Sequence, residues 1–223
     1  MAVESSIGGA QESSDLHIRK KRVINRTNNG QVPGSLQRAP YIVNIVKDGL
    51  SHCAGIILDS DIILTVPSCI KEFVCTAILK ISPSIDLHKS HNAKIELFTE
   101  VLPANSYAWF SGWGCTSLGP KNPPVFPVNL MMTRLPLISQ QECVQAHHGP
   151  VYINLRYICT LDASGRRATC IGDEGGPLVY NKRLIGVLLY RTLEIGKRPD
   201  VFANLIHPDA QHWINEIINF LQH

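Results

Sequence analysis

Six short runs rich in aliphatic and β-branched residues dominate the chain: Tyr41 to Val46, Ala54 to Val66, Ala77 to Ile81, Ala108 to Trp113, Pro177 to Tyr180 and Leu184 to Leu189. Turn-forming pairs at Asp48-Gly49, Pro83-Ser84, Gly119-Pro120 and Asn181-Lys182 punctuate them. Short runs folded back at turns predict an all-β sandwich or barrel, and 223 residues of such text fit one domain. Two helices are predicted. Ser139 followed by Glu142 has the pattern of a capping box and opens a short helix through His147, and the C-terminal segment places Trp213, Ile217 and Leu221 on one face, predicting a helix packed on the barrel. Residues 1 to 22 are polar, offer no core face and end in Arg19-Lys20-Lys21-Arg22, which predicts a flexible leader before a folded unit at 23 to 223.

Seven cysteines, Cys53, Cys69, Cys75, Cys115, Cys143, Cys159 and Cys170, constrain the chemistry further. None forms a CxxC pair, which argues against a zinc knuckle or a thioredoxin-type site. Cys53 with Cys69 and Cys143 with Cys159 each enclose 15 residues, and closing such a loop contributes about 3 kcal/mol on a chain-entropy account. This points to an oxidising compartment, with an odd thiol left over. Met1 to Arg22 has no apolar stretch of the kind a secretory signal requires. No apolar run approaches the roughly 20 residues of a membrane span; the longest candidate, Gly55 to Val66, is broken by Asp59, Ser60 and Asp61. A net charge of +3, with basic residues scattered outside Arg19 to Arg22, gives no footprint for nucleic acid. Nothing implies a metal or a cofactor.

Three stretches, TVPSC at Thr65 to Cys69, SGWG at Ser111 to Gly114 and CIGDEGGPLV at Cys170 to Val179, together resemble the chymotrypsin/trypsin-like serine protease family. Arg22-Val23-Ile24-Asn25 resembles its activation site and LPLISQQEC at Leu135 to Cys143 its later connecting segment, so the resemblance runs from about Val23 to the end of the chain. It implies two six-stranded β-barrels, an active site in the cleft between them, and a C-terminal helix. The chemistry of that family needs a serine nucleophile, a histidine base and an orienting aspartate. At the matching positions this chain has Glu174, Ser68 and Cys75. Ser68 cannot accept a proton near neutral pH, and an ionised Glu174 would be repelled by a developing oxyanion. His52, His147 and His148 are not placed by the resemblance to serve instead.

The resemblance also implies a changed specificity pocket. Ala168 stands where trypsins carry the acid that recognises Lys or Arg; Arg191 and Asp200 stand at two positions that line an open pocket. Two arrangements are open: Arg191 and Asp200 pair across the pocket and plug it, or both point to solvent. Asp173 is retained, and in the family it is buried on pairing with the amino terminus that cleavage releases, here Val23 after a cut at Arg22. With that bond uncut, Asp173 is expected to stay exposed in a zymogen-like loop, because burying it unpaired costs several kcal/mol. Arg19 to Arg22 is otherwise a solvated basic arm. Asn25-Arg26-Thr27 is an N-glycosylation acceptor sequence beside this site.

Five residues separate Cys69 from Cys75, where the family carries about forty, enough for several strands of about five or six residues. The first barrel is therefore expected to be incomplete, with edges that need covering. The resemblance implies bridges Cys53–Cys69 and Cys143–Cys159; Cys170 lacks its family partner, with Glu194 near that place, and Cys115 is its proposed replacement, leaving Cys75 alone. A further family bridge is absent at both ends, Ala108 and Tyr180, as in many invertebrate members. The expectation is a secreted serine protease homologue without a working triad, its backbone donors at Gly172 and Glu174 notwithstanding, that binds a protein partner such as a protease, substrate or inhibitor. An active serine endopeptidase and a truncated product without a role of its own are the alternatives.

Overall fold

The computed structural model describes residues 2–4, 16–19, 32–33, 36–47, 50–70, 76–117, 123–147 and 152–222. In chain order the strands are β1 (Ala2–Glu4), β2 (Leu16–Arg19), β3 (Val32–Pro33), β4 (Ile42–Lys47), β5 (Leu50–Asp59), β6 (Ile62–Thr65), β7 (Ala77–Ser82), β8 (Tyr107–Gly112), β9 (Met131–Ile138), β10 (Tyr157–Thr160), β11 (Pro177–Tyr180), β12 (Arg183–Tyr190) and β13 (Asp200–Asn204). Helix α1 (Gln140–Ala146) and helix α2 (Pro208–Gln222) follow β9 and β13. Two antiparallel sheets result. The first has the order β1-β7-β6-β5-β4-β2, and the second β10-β13-β12-β11-β8-β9-β3, with β10 also pairing to β9, which closes it. The fold is all-β with a C-terminal helix.

Alternation along the strands builds the core. Val43, Ile57, Ile63, Leu79 and Ile81 face the interior of the first sheet, while their neighbours Ile42, Ile56 and Leu64 turn the other way, into a cluster with Val179 and Val187 of the second sheet and with Trp113 and Leu130, which flank its strands β8 and β9. Strands buried on both faces read as continuous apolar text, and for that reason Ala54 to Val66 looks like one run; it is two strands, split at Ser60 and Asp61. The second sheet encloses its own core around Phe98, Phe110, Leu178, Leu188 and Phe202. Helix α2 lies against the inter-sheet core through Ala210, Trp213, Ile214, Ile218 and Leu221, with Ile214 its buried residue. The face predicted through Ile217 is thus shifted by one residue, since positions 210, 214, 218 and 221 hold the helical spacing that meets the sheet.

Helix α1 begins as its sequence predicts: Ser139 Oγ accepts the Glu142 amide, and Glu142 returns to the Ser139 amide. Cys143, on this helix, is joined to Cys159 on β10; Cys53 is joined to Cys69, and Cys115 to Cys170. Cys75 and the turns at Asp48-Gly49 and Gly119-Pro120 lie outside the described residues.

The edges of the first sheet carry the main departure from expectation. From residue 42 onward the chain supplies four of its strands, β4 to β7. The remaining two come from the segment predicted to be a flexible leader: β1 pairs with β7, Val3 opposite Ile81, and β2 pairs with β4, Ile18 opposite Ile45. These two strands also approach each other. An open sheet presents unpaired amides and carbonyls on both outer strands, and here nearby chain fills both rows.

Candidate functional site

The segment from Cys170 to Gly176 crosses between the sheets. Ala54 of β5 donates its amide to the Glu174 carbonyl at 2.8 Å, and Gly175 donates to the Leu188 carbonyl of β12 at 2.9 Å. Gly175 has φ +78°, and a Cβ there would sit 2.2 Å from the Ala54 carbonyl oxygen, so only glycine lets the crossing pass so near β5. The Pro67–Cys69 turn approaches the same point, with Cys69 Sγ 3.8 Å from the Glu174 carbonyl oxygen. Ser68 is exposed on that turn. Ser68 and Glu174 therefore belong to one region, on opposite sheets.

The Glu174 carboxylate is engaged at both oxygens. Oε2 accepts the Gly172 amide at 2.8 Å, and Oε1 meets Arg191 Nε at 3.1 Å. Both side chains are about one-fifth exposed, at 22% and 20%. Gly172 is thus a donor as the sequence suggests, but its donor is taken up by the chain's own carboxylate.

Arg191 does not pair with Asp200. Asp200 is 2% exposed and accepts two backbone amides, from Thr169 at 2.9 Å and Thr192 at 2.8 Å. An ion pair was expected because a desolvated carboxylate needs compensation; the two amides supply it, leaving Arg191 to Glu174. Burial raises Asp200 to about 6, against the pull of those amides and of nearby Arg191. The alternative of two solvent-facing side chains does not hold for Asp200 either. Two ties consequently join the same pair of segments: Asp200 brackets Thr169 to Thr192, and Arg191 holds Glu174. Ala168, half-buried beside Thr169, contributes no charge. Next to these ties is a cleft of about 240 Å³ lined by His147, Tyr190, Arg191, Leu193 and Arg198 among others.

Asp173 is buried, at 4% exposure, rather than lying in an exposed loop. Its carboxyl accepts the Gly114 amide at 2.8 Å and the Cys170 amide at 2.9 Å. Glycines at 112 and 114 make the approach feasible: a Cβ on either would fall 2.0 or 2.3 Å from the carboxyl group. Burial raises Asp173 to about 7, against the two amides, with the negative charges of Glu174 and Asp200 adding to it. Among the described residues, two backbone amides and a pKa raised by burial compensate the carboxyl where a cation was expected. Among the described residues it has no ion pair. Arg22, Val23 and Asn25 lie outside them, as does His148.

A pH dependence follows. Below pH about 4 both folded and unfolded chains hold the Asp173 proton. Between about 4 and 7 the folded state keeps it while the unfolded chain, with an ordinary carboxyl, releases it, so stability falls as pH rises through that window and is level above it. Denaturant unfolding at pH 4.5 and 7.5 is expected to show a smaller stability difference in Asp173→Asn than in the parent. Equal differences would mean that Asp173 does not titrate in the folded state as its burial requires.

The Trypsin family model matches residues 75–214 of the chain. Hypodermin-A of Hypoderma lineatum is 26% identical over 198 residues, covering 71% of this chain and 75% of that protein. Trypsin alpha-4 of Lucilia cuprina is 25% identical over 226 residues, covering 84% of each. Among solved structures, neuropsin, a serine protease expressed in the limbic system of mouse brain, superposes with a TM-score of 0.72 at 18% identity, over 83% of this chain and 97% of that one, a likeness of fold. With the family model spanning more than half its length, the chain belongs to the trypsin family of serine proteases.

Proposed function

We propose that this chain is a secreted, non-catalytic member of its family that acts by binding a protein partner, in the class of proteases, their substrates or their inhibitors. The observation that carries the reading is Glu174, at the position of the family's nucleophile, with its carboxylate held between the Gly172 amide and Arg191. A carboxylate in that place offers no hydroxyl to acylate and occupies a donor that would have to receive the oxyanion. Ser68, at the base position, has no proton-accepting group of suitable pKa. The Asp200 bracket and the Arg191 tie support a pocket closed to a substrate side chain, while the neighbouring cleft leaves a surface on which a partner can rest. Three disulfides support an oxidising, extracellular setting. No helix among the described residues is long and apolar enough to cross a membrane.

The test is exposure of the full chain to a fluorophosphonate probe and to a panel of peptide substrates. No labelling is expected, and turnover on the order of 10⁶-fold below that of a complete triad. Stoichiometric labelling at any serine would restore the endopeptidase reading.

A further inference from the structure

We infer that the outer face of β8 and β9 is a binding site for an extended sulfated polysaccharide. The site is distinct from the region around Glu174 and does not depend on whether that region is catalytic.

The strand pattern creates it. Along β8, Ala108 and Phe110 point into the second core, so Tyr107 and Trp109 lie on the other face, Tyr107 exposed and Trp109 half-buried with part of its ring packed on the inter-sheet core; Arg134, exposed between buried Thr133 and Leu135, stands directly opposite Trp109 on β9. The guanidinium of Arg134 lies 5.3 Å from the Tyr107 ring and 6.0 Å from the Trp109 ring. Arg38 stacks on the far side of this row, 6.0 Å from Trp109, and Arg167 on the near side, 5.9 Å from Tyr107. The result is a line that alternates cation and aromatic ring: Arg38, Trp109, Arg134, Tyr107, Arg167. Arg166, exposed, adjoins its end.

Two properties favour a polyanion. Stacking on a ring does not neutralise a guanidinium, and it fixes the plane of the exposed Arg134 side chain so that its N–H edge can make bidentate contacts to anionic oxygens. Among Arg134, Arg166 and Arg167 the described residues provide one carboxylate, Asp162, which pairs with Arg167 at 3.0 Å. Pre-ordering of long side chains, here also by Arg167 donating to the Arg134 carbonyl at 3.2 Å, lowers the entropy lost on binding. Successive cations separated by rings at 5.3 to 6.0 Å, rather than one isolated cation, suit a chain of repeated anionic esters better than a single acidic side chain.

The test is salt elution of the full chain from immobilised heparin beside a plain sulfonate exchanger. The chain is expected to elute at clearly higher salt from heparin. A double substitution Arg134→Gln and Arg166→Gln is expected to lower affinity for soluble heparin about tenfold or more, and to flatten its salt dependence. The control is Arg183→Gln with Arg156→Gln, which removes the same charge at cations paired to Glu100 and Asp209. Arg166→Gln alone serves if the double variant is misfolded, because Arg166 stacks on no ring among the described residues. Equal losses in test and control pairs would overturn the site, leaving net charge as the whole effect. Binding of poly-glutamate or a single-stranded oligonucleotide as tightly as heparin would overturn the ligand class.

Discussion

Removing residues 1–22 is expected to make the protein associate or aggregate and to lower the midpoint of thermal unfolding. The first sheet has four strands of its own between Ile42 and Ser82, and the segment to be removed supplies both outer ones. Without β1, the outer edge of β7 from Lys80 to Ser82 loses its partners; without β2, so does β4 from Asn44 to Lys47. Each internal hydrogen bond contributes about 1 kcal/mol net, so the seven paired positions amount to several kcal/mol. The larger consequence is kinetic and intermolecular, since two bare edges beside the apolar interior of Val43, Leu79 and Ile81 can pair with another copy. Light scattering after size exclusion, with a thermal melt, would check this. A synthetic 1–22 peptide added in trans is expected to reverse the association, because no cysteine lies in that segment and its described strands join the sheet by backbone pairing. A monodisperse truncated chain with an unchanged melt would mean that the first sheet is self-sufficient. The same logic bears on Arg22: cutting there would sever the covalent link to both edge strands while leaving them paired.

The segment's role was not legible in its own sequence. Leu16 to Arg19 alternates for only four residues and Ala2 to Glu4 for three, too little for a periodic signal; what selects them as strands is an unsatisfied edge elsewhere in the chain. Local chemistry, by contrast, was readable. The Ser139–Glu142 capping box acts within one turn, and the motifs around Cys69, Trp113 and Asp173 mark the crossing of the two sheets. Strand β9 carries no clear apolar run because Thr133, Arg134 and Pro136 interrupt Met131 to Ile138; Arg134 and Pro136 share the face turned away from the second core, while Thr133 is a polar residue buried on the other. The partner of Arg191 was missed for a similar reason. The sequence left open an Arg191–Asp200 pair or two solvent-facing side chains; that Arg191 meets Glu174 instead follows from the backbone amides of Thr169 and Thr192 satisfying Asp200, a matter of tertiary geometry.

On the proposed non-catalytic reading, in which Glu174 stands at the nucleophile position, Glu174→Ser is expected to leave peptide hydrolysis indistinguishable from the parent. The substitution frees the Gly172 amide and releases Arg191 from its tie, so a tetrahedral intermediate would find one donor open. It does not provide a base. Ser68 stays at that position, and a serine hydroxyl cannot take a proton from another near neutral pH. Loss of the base alone costs on the order of 10⁶-fold in turnover, as much as loss of the whole triad, because nucleophile and base act as a unit. Adding Ser68→His is therefore the informative step. With base and nucleophile present and, on the same reading, Cys75 at the position of the orienting acid, activity is expected to emerge about 10⁴-fold below a complete triad, the deficit that follows when the imidazole is left in the wrong tautomer. Hydrolysis by Glu174→Ser alone, in a preparation free of contaminating protease, would mean that another group serves as base, with His52, one residue before Cys53, first to be replaced by alanine. Inactivity of both variants, with the fold intact, would mean that restoring base and nucleophile is not sufficient, with the missing orienting acid and the Asp200 bracket, which neither substitution touches, the next positions to change.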